Sequence, residues 1–218
     1  MSEGDVNLGV VGVDEGTLIM YDDKTRSQWS QLFGIAVEGE MKGTSLDKVP
    51  STMTTWGEWR KLHPDTTVYV KPTAGYSRRF TRESFANIAR LDPGPVREDD
   101  VIVGLEGHVL ARAYLLRRLA GDRLVQERFE GASIVVYLSD DLTTTKVWLA
   151  KVDDRELSFE RAGEELEDRE TGSRWDPLRG QATSGELKGR ELQPLVSTYA
   201  VWFAWKHYRP DTTVHGEE

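Results

Sequence analysis

Apolar and polar residues alternate in short runs along most of this chain, a pattern typical of β-strands. The first run covers residues 6–13 and the second covers residues 18–20, with Asp14, Glu15 and Gly16 between them. This spacing predicts two strands joined by a glycine turn.

The second half of the chain continues the same pattern. Apolar positions alternate at residues 101–105 and run together at residues 134–138. Residues 146–152 are followed by residues 157–159 across the polar group Asp153-Asp154-Arg155. Short runs separated by tight polar turns predict an antiparallel sheet.

A 48-residue stretch occurs twice, at residues 22–69 and, without a gap, at residues 168–215. The two copies are identical at 21 of the 48 aligned positions, whereas unrelated chains match at only about 3. We call these stretches the first copy and the second copy. Their similarity indicates an internal duplication.

Each copy begins with a polar turn. Asp22 and Asp168 are expected to accept hydrogen bonds from backbone amides two or three residues later. Gly172 suits a positive φ angle, whereas Arg26 at the equivalent position pays a modest penalty there or adopts another turn. Trp29 and Trp175 then open a strand.

The repeated glycines of each copy are spaced like those of a phosphate-binding loop. They are Gly34, Gly39 and Gly43, with Gly180, Gly185 and Gly189 in the second copy. A phosphate-binding loop continues with Gly-Lys-Ser/Thr into a helix. Because extended chain follows here instead, we interpret the glycines as turns between short strands.

Each copy ends with a predicted helix that carries two tryptophans one turn apart. In the first copy Thr55 and Glu58 form a capping box, and Pro64 ends the helix. Trp202, Trp205 and Pro210 repeat the arrangement in the second copy. The spacing predicts that this helix buries its indoles over a sheet.

These elements predict an α+β fold, predominantly antiparallel β with short helices and an internal duplication. We divide the chain into the C-terminal half of a first unit (1–70), a connecting segment (71–99) and a complete second unit (100–218), packed as one body. The connecting segment is rich in Pro and Gly around a short helix with Phe85, Ile88 and Leu91. Strands at residues 101–150 have no counterpart before Val6, so the first unit is expected to lack its N-terminal half.

Several motifs carry a resemblance to a known family. In the first copy they are Tyr21-Asp22, Trp29-Ser30-Gln31-Leu32, Thr55-Trp56-Gly57-Glu58-Trp59 and His63-Pro64-Asp65-Thr66. In the second half they lie at residues 103–107, 111–114, 168–175, 202–205 and 210–212. With these motifs the chain resembles the domain of unknown function 3179 family over nearly its whole length.

The resemblance implies tandem related units and a shared fold. It implies no catalytic role, because the family's function is not established. Members typically carry a Tyr-Cys-Pro motif on a strand of the first unit, the segment with thiol or metal chemistry. The matching strand of the second unit reads Val135-Val136-Tyr137-Leu138-Ser139-Asp140, without cysteine. One expectation is therefore a truncated product that has lost the thiol-bearing segment.

Composition narrows the range of partners. The chain has 37 acidic and 28 basic residues and a formal charge of -9, which disfavours nucleic acid. We interpret the arginine groups as solvated surface; they are Arg78, Arg79 and Arg82, and Arg117, Arg118 and Arg123. The chain has no cysteine, which excludes disulfides and thiolate chemistry.

The expected location follows from the absence of sorting signals in the sequence. Residues 1–5 lack a basic region, and residues 8–13 are too few for a signal peptide. The longest apolar runs are too short to cross a bilayer, so no membrane insertion is expected. We therefore predict a cytoplasmic location. Unpaired strand edges near the N-terminus are expected to favour self-association.

The four histidines are weak candidates for a metal site. They are His63, His108, His207 and His215, and none of them is kept in both copies: His63 aligns with Arg209, His207 with Lys61 and His215 with Tyr69. A site shared by the two units therefore contains none of them. We predict no metal site and no cofactor.

Asp65 and Asp211 are the candidate catalytic residues because both copies keep them, in Pro-Asp-Thr-Thr-Val. A carboxylate pair can act as general acid and base. The favoured interpretation is nevertheless structural, with each Asp bonding to the following Thr amides. Trp148 lies outside the repeat and is the candidate exposed ligand-binding ring, whereas Trp29, Trp56 and Trp59 are expected to be buried.

The leading functional hypothesis is a non-catalytic binding or interaction protein, because no catalytic motif is present. The first alternative is a hydrolase or other enzyme that uses carboxylates between the two units. The second is the truncated product. The sequence names no ligand or substrate.

Overall fold

The structure is a computed structural model that describes residues 6–68 and 95–217. In the first of these ranges, strands β1–β4 precede helix α1. Their bounds are β1 Leu8–Asp14, β2 Thr17–Asp22, β3 Gln28–Ser30, β4 Ile35–Glu38 and α1 Trp56–Leu62.

The second range contains the remaining described elements. Its first part consists of β5 Val101–Glu106, β6 Ala111–Leu115, α2 Leu116–Asp122, β7 Leu124–Phe129, β8 Ala132–Leu138 and β9 Thr145–Leu149. Its middle part consists of β10 Lys151–Val152, β11 Arg155–Glu156, β12 Phe159–Ala162, β13 Glu165–Asp168, β14 Arg174–Asp176 and β15 Gln181–Ser184. It ends with β16 Ser197–Val201, α3 Trp202–Tyr208 and β17 Thr213–Val214.

Each copy, together with the two strands that lead into it, forms a four-stranded antiparallel sheet, and the two sheets are equivalent. One has the order β1-β2-β3-β4 and the other β12-β13-β14-β15. Met20 faces Trp29 in the first sheet, as Leu166 faces Trp175 in the second. The predicted turn between β1 and β2 is confirmed, with Gly16 at a φ of 78°. We call these sheets the first-copy sheet and the second-copy sheet.

The remaining strands form a four-stranded sheet, a three-stranded sheet and the β10-β11 ribbon. One sheet has the order β16-β5-β6-β17 and the other β7-β8-β9. The pairing is antiparallel except that β17 runs parallel to β6. The prediction of a β-rich α+β fold with predominantly antiparallel strands is therefore confirmed.

The β7-β8-β9 sheet is apolar on both faces and lies between two other sheets. Val136 and Val147 pack on one side with Val103 of β5. Val135 and Trp148 pack on the other side with Trp175 of the second-copy sheet. Strand alternation sends successive side chains to opposite faces, so β8 and β9 contribute to both core clusters.

Helix α3 covers the outer face of the β16-β5-β6-β17 sheet. Trp205 is fully buried, and a Cβ atom at Gly104 would lie 2.3 Å from its indole. The predicted burial of the helix indoles is therefore confirmed at Trp205. It is wrong at α1, which buries none of its residues and leaves Trp56 44% exposed.

The two copies contact each other through equivalent turns. Phe33, between β3 and β4, packs against Tyr208 of α3 with ring centroids 4.4 Å apart. Arg179, the equivalent residue of the second copy, donates from Nη2 to the Lys61 carbonyl of α1 at 3.0 Å. Each copy's turn therefore contacts the closing helix of the other copy.

One of the predicted surface arginines is buried. Arg117 donates to both carboxylate oxygens of Asp100 at 2.6 and 2.9 Å, and each side chain is 2% exposed. The interpretation as solvated surface was wrong for this residue. Arg118 and Arg123 pair with Glu217 and Asp140 nearer the surface.

Parts of the predicted connecting segment lie outside the described residues. These parts include the segment for which a helix with Phe85, Ile88 and Leu91 was predicted, and the arginines Arg78, Arg79 and Arg82. No helix within residues 6–68 and 95–217 has the length and apolar character needed to span a membrane.

Candidate binding cleft between the two copies

A cleft of about 520 Å³ lies where α1 of the first copy approaches β9 and the second copy. Its lining includes Thr52, Trp59 and His63 of the first copy. Lys146 and Trp148 of β9 line it as well. The cleft is therefore built by residues about 90 positions apart in the chain.

Lys146 brings a positive charge to this cleft. Alternation along β9 buries Thr145 and Val147 and turns Lys146 to the same side as Trp148. The Lys146 ammonium donates to the Thr52 hydroxyl at 2.5 Å and lies 5.5 Å from the centre of the Trp148 ring. Burial lowers its pKa, since removing water disfavours the charged form.

Among the described residues, no carboxylate forms an ion pair with the Lys146 ammonium, although the charge of Asp176 raises its pKa and partly offsets the effect of burial. Two other charged side chains of the cleft are already engaged: Arg179 pairs with Asp176 at 3.1 Å, and Glu191 accepts from the Gln181 amide at 3.1 Å. Because an ammonium has three donors and Thr52 accepts one, Lys146 can also bind an anionic group.

The cleft also presents aromatic surface. Trp148 lines it but is only 4% exposed, so the expectation of an exposed ring was wrong. Its indole nitrogen donates to the Pro177 carbonyl at 3.0 Å. Trp59 is half-buried and stacks on His63 with centroids 4.2 Å apart.

Asp65 and Asp211 are exposed and do not line this cleft. Among the described residues neither carboxylate makes a hydrogen bond, so the expected bonds to the Thr amides were wrong. The turns close instead through Thr66, whose amide donates to the His63 carbonyl at 3.2 Å, and through its equivalent Thr212. The catalytic hypothesis for the two aspartates stays a prediction.

The threonines after these aspartates hold the helix indoles. The Trp59 indole nitrogen donates to the Thr66 hydroxyl at 3.1 Å, and the Trp205 nitrogen donates to Thr212 at 2.8 Å. The sequence carried a signal for these pairs, because both copies keep Trp and Thr seven residues apart. The structural role expected for Asp65 and Asp211 therefore belongs to Thr66 and Thr212.

The aspartates that open the copies are structural as well. Asp22 accepts from the Thr25 amide at 2.5 Å and from the Trp29 indole at 3.0 Å. Asp168 makes the equivalent bonds to Thr171 and Trp175, at 2.6 and 2.9 Å. The predicted turn is confirmed in both copies. Hydrogen bonds from the Thr25 hydroxyl and the Trp29 indole hold the pKa of Asp22 well below its usual range.

The histidines are dispersed over the molecule. His215 contacts the Glu127 carboxylate at 3.0 Å, His207 lies 3.7 Å from Glu15, and His63 stacks on Trp59. In the parts of the chain that the structure describes, no three His, Asp or Glu residues are grouped to hold a metal ion.

Comparison with known proteins places the chain in a family but attaches no activity to it. The family described as "Protein of unknown function (DUF3179)" matches residues 1–212. No curated protein and no solved structure matches the chain. Because the match spans nearly all of the 218 residues, the chain belongs to the DUF3179 family.

Proposed function

We propose that the protein is a non-catalytic binding protein and that its ligand is a small aromatic carboxylate held in the cleft between the copies. The observation that carries this proposal is Lys146, a half-buried ammonium that faces the cleft with a hydroxyl as its hydrogen-bond partner. A ligand carboxylate would supply the charge that Thr52 cannot supply.

The walls of the cleft favour an apolar, planar ligand body. Trp59 and Trp148 both line the cleft, and Leu62 and Pro194 add aliphatic surface. A volume of about 520 Å³ lies within the usual range for small-molecule sites. Trp148 therefore remains the candidate ligand-binding ring, through the part of the indole that lines the cleft.

The alternative enzyme hypothesis draws no support from this cleft, because neither Asp65 nor Asp211 lines it. A carboxylate pair converging on one opening would favour hydrolysis. The lining of the cleft instead includes the Lys146 ammonium, the Thr52 hydroxyl and the Trp59 and Trp148 indoles, which together suit a carboxylate.

Benzoate and benzamide test the proposal, because they have nearly the same size and differ in charge. We expect benzoate to raise the melting temperature of the protein in a concentration-dependent way, as any ligand of the native state does. Benzamide should have a much smaller effect. Binding is also expected to change the fluorescence of the cleft tryptophans.

Lys146→Met keeps the aliphatic stem and removes the charge, so it should lose most of the benzoate shift. Lys61→Met is the matched control, because this exposed lysine of α1 does not line the cleft. Equal shifts for benzoate and benzamide, no benzoate shift, or a full shift in Lys146→Met would each contradict the proposal.

A further inference from the structure

An apolar groove of about 580 Å³ lies on the first-copy sheet, away from the cleft that holds Lys146. Its lining includes Leu8, Met20, Trp29 and Leu46. Leu46 is 52% exposed, whereas its equivalent in the second copy, Leu192, is 4% exposed. The same repeated surface is therefore open in one copy and covered in the other.

Strand β9 covers this surface in the second copy. The Trp148 ring rests on Gly180, where a Cβ atom would lie 2.8 Å from the indole. Its indole nitrogen donates to the Pro177 carbonyl. Gly180 has a φ of 69°, and its amide donates to the Asp176 carbonyl at 2.8 Å.

The first copy has the same glycine turn, at Gly34, but no aromatic ring of the described residues rests on it. Gly34 has a φ of 64°, and its amide donates to the Ser30 carbonyl at 2.8 Å, so the two turns have the same geometry. Among the described residues, a Cβ atom at Gly34 would meet only Leu46, at 3.6 Å. Gln31, the equivalent of Pro177, lines the groove, so its carbonyl is the counterpart of the acceptor that Trp148 uses in the second copy.

The backbone segment that pairs with β9 in the second copy also has an equivalent in the first copy. In the second copy, Leu149 of β9 donates to the Gln193 carbonyl and Leu195 donates to the Val147 carbonyl, each at 2.9 Å. The equivalent positions of the first copy are residues 47–49. Val49 is 76% exposed, and no backbone bond to this segment comes from the described residues.

We propose that the groove of the first copy binds an extended strand of another protein. This strand pairs with residues 47–49 and places an indole on Gly34. In this register the indole-bearing residue lies opposite Lys48, as Trp148 lies opposite Pro194. Its indole nitrogen donates to the Gln31 carbonyl. This is strand addition with an aromatic anchor.

The second copy itself identifies the chemistry of the partner. An indole on a strand is what covers the equivalent surface there, with the same Gly turn and the same acceptor position. A second folded molecule cannot supply its own β9, because Trp148 and Val147 are buried in its core. The proposed partner is a different protein with an accessible Trp in an extended segment.

A nine-residue peptide with the sequence of residues 143–151, Thr-Thr-Thr-Lys-Val-Trp-Leu-Ala-Lys, is the probe. We expect it to bind the full chain and to shift the amide signals of Gln31, Gly34 and residues 47–49 in NMR spectra of the labelled protein. The peptide with Trp replaced by Ala should bind at least about tenfold more weakly, because the ring supplies most of the contact area.

Two variants separately test the apolar groove and the backbone pairing. Leu46→Glu places a charge in the groove, and Val49→Pro removes the amide that pairs with the incoming strand. Each should weaken peptide binding at least about tenfold. Val109→Glu is the control, because Val109 is exposed in the β5–β6 loop and does not line the groove.

Three results would overturn the inference. They are no peptide binding to the full chain, equal binding of the Trp and Ala peptides, and binding that survives both Leu46→Glu and Val49→Pro. A drop in melting temperature in Leu46→Glu without any peptide binding would instead indicate that another part of this chain fills the groove. Circular dichroism spectra of the variants check that they are folded.

Discussion

Phe33 of the first copy lies against Tyr208 of the second, with ring centroids 4.4 Å apart. Phe33 also lies 5.9 Å from the Trp205 ring, so it joins the core beneath helix α3. Arg179 occupies the equivalent turn of the second copy and makes a surface hydrogen bond to α1. The duplication therefore provides two equivalent contacts, one buried and one exposed.

We expect Phe33→Ala to lower the free energy of unfolding by about 3–5 kcal/mol, because it leaves a cavity beneath α3. Phe33 is 3% exposed. Arg179→Ala is the matched control and should change stability by less than about 0.5 kcal/mol, since its contact is exposed to solvent. Urea unfolding of both variants measures the difference. Equal effects would show that the two copies are not joined mainly through Phe33.

The Trp–Thr pairs give a second matched comparison. Thr212→Val keeps the shape of the side chain and leaves the buried Trp205 indole nitrogen without its acceptor, so we expect a loss of about 1–3 kcal/mol. Thr66→Val should cost less, because water can reach the half-buried Trp59. Chemical unfolding of the two variants tests this order, and a larger cost for Thr66→Val would contradict it.

The sequence predicted the repeated local structure well because its causes lie within a few residues. The turn at Asp22 depends on Thr25, and the start of α1 depends on Thr55, whose hydroxyl accepts from the Glu58 amide. Arg26 adopts the positive φ that was expected to be strained, at 59°, in the same turn as Gly172.

Burial was harder to predict because it depends on distant segments. Trp56 and Trp202 occupy equivalent positions, yet Trp56 is 44% exposed and Trp202 is half-buried. Within residues 6–68 and 95–217, no strand packs beneath α1 as closely as β5 packs beneath α3. Trp148 was expected to be exposed because it lies outside the repeat, but it covers the second-copy sheet. Lys146 was not singled out, because its partner Thr52 is 94 positions away.

The Asp100–Arg117 ion pair allows a test with an adjacent control. We expect Asp100→Asn to cost about 3–5 kcal/mol, because it leaves the Arg117 charge buried without its counter-ion. Asp99→Asn should change stability by less than about 0.5 kcal/mol, since the Asp99 carboxylate is exposed and lies 3.9 Å from Arg97. Thermal and urea unfolding measure both effects. A small loss in Asp100→Asn would show that Arg117 finds another partner.

The lowered pKa of Asp22 predicts how stability depends on pH. Because the folded pKa lies below the unfolded value of about 3.9, the carboxylate stabilises the fold above about pH 4. This contribution is lost as the pH falls from there towards the folded pKa. Glu106 and Glu127 act in the same direction: burial raises their pKa values, but hydrogen bonds from Arg and other donors outweigh it and lower them.

Thr25→Val isolates the Asp22 contribution, because the Thr25 hydroxyl donates to this carboxylate at 2.6 Å. The variant should raise the folded pKa of Asp22 towards the unfolded value. The difference in unfolding free energy between wild type and variant is therefore largest near neutral pH and shrinks below about pH 4. Thr25→Ser keeps the hydroxyl and should follow the wild-type curve. Urea unfolding at pH 7, 5, 4 and 3 checks this, and a difference that stays constant with pH would show that Thr25 acts through packing instead.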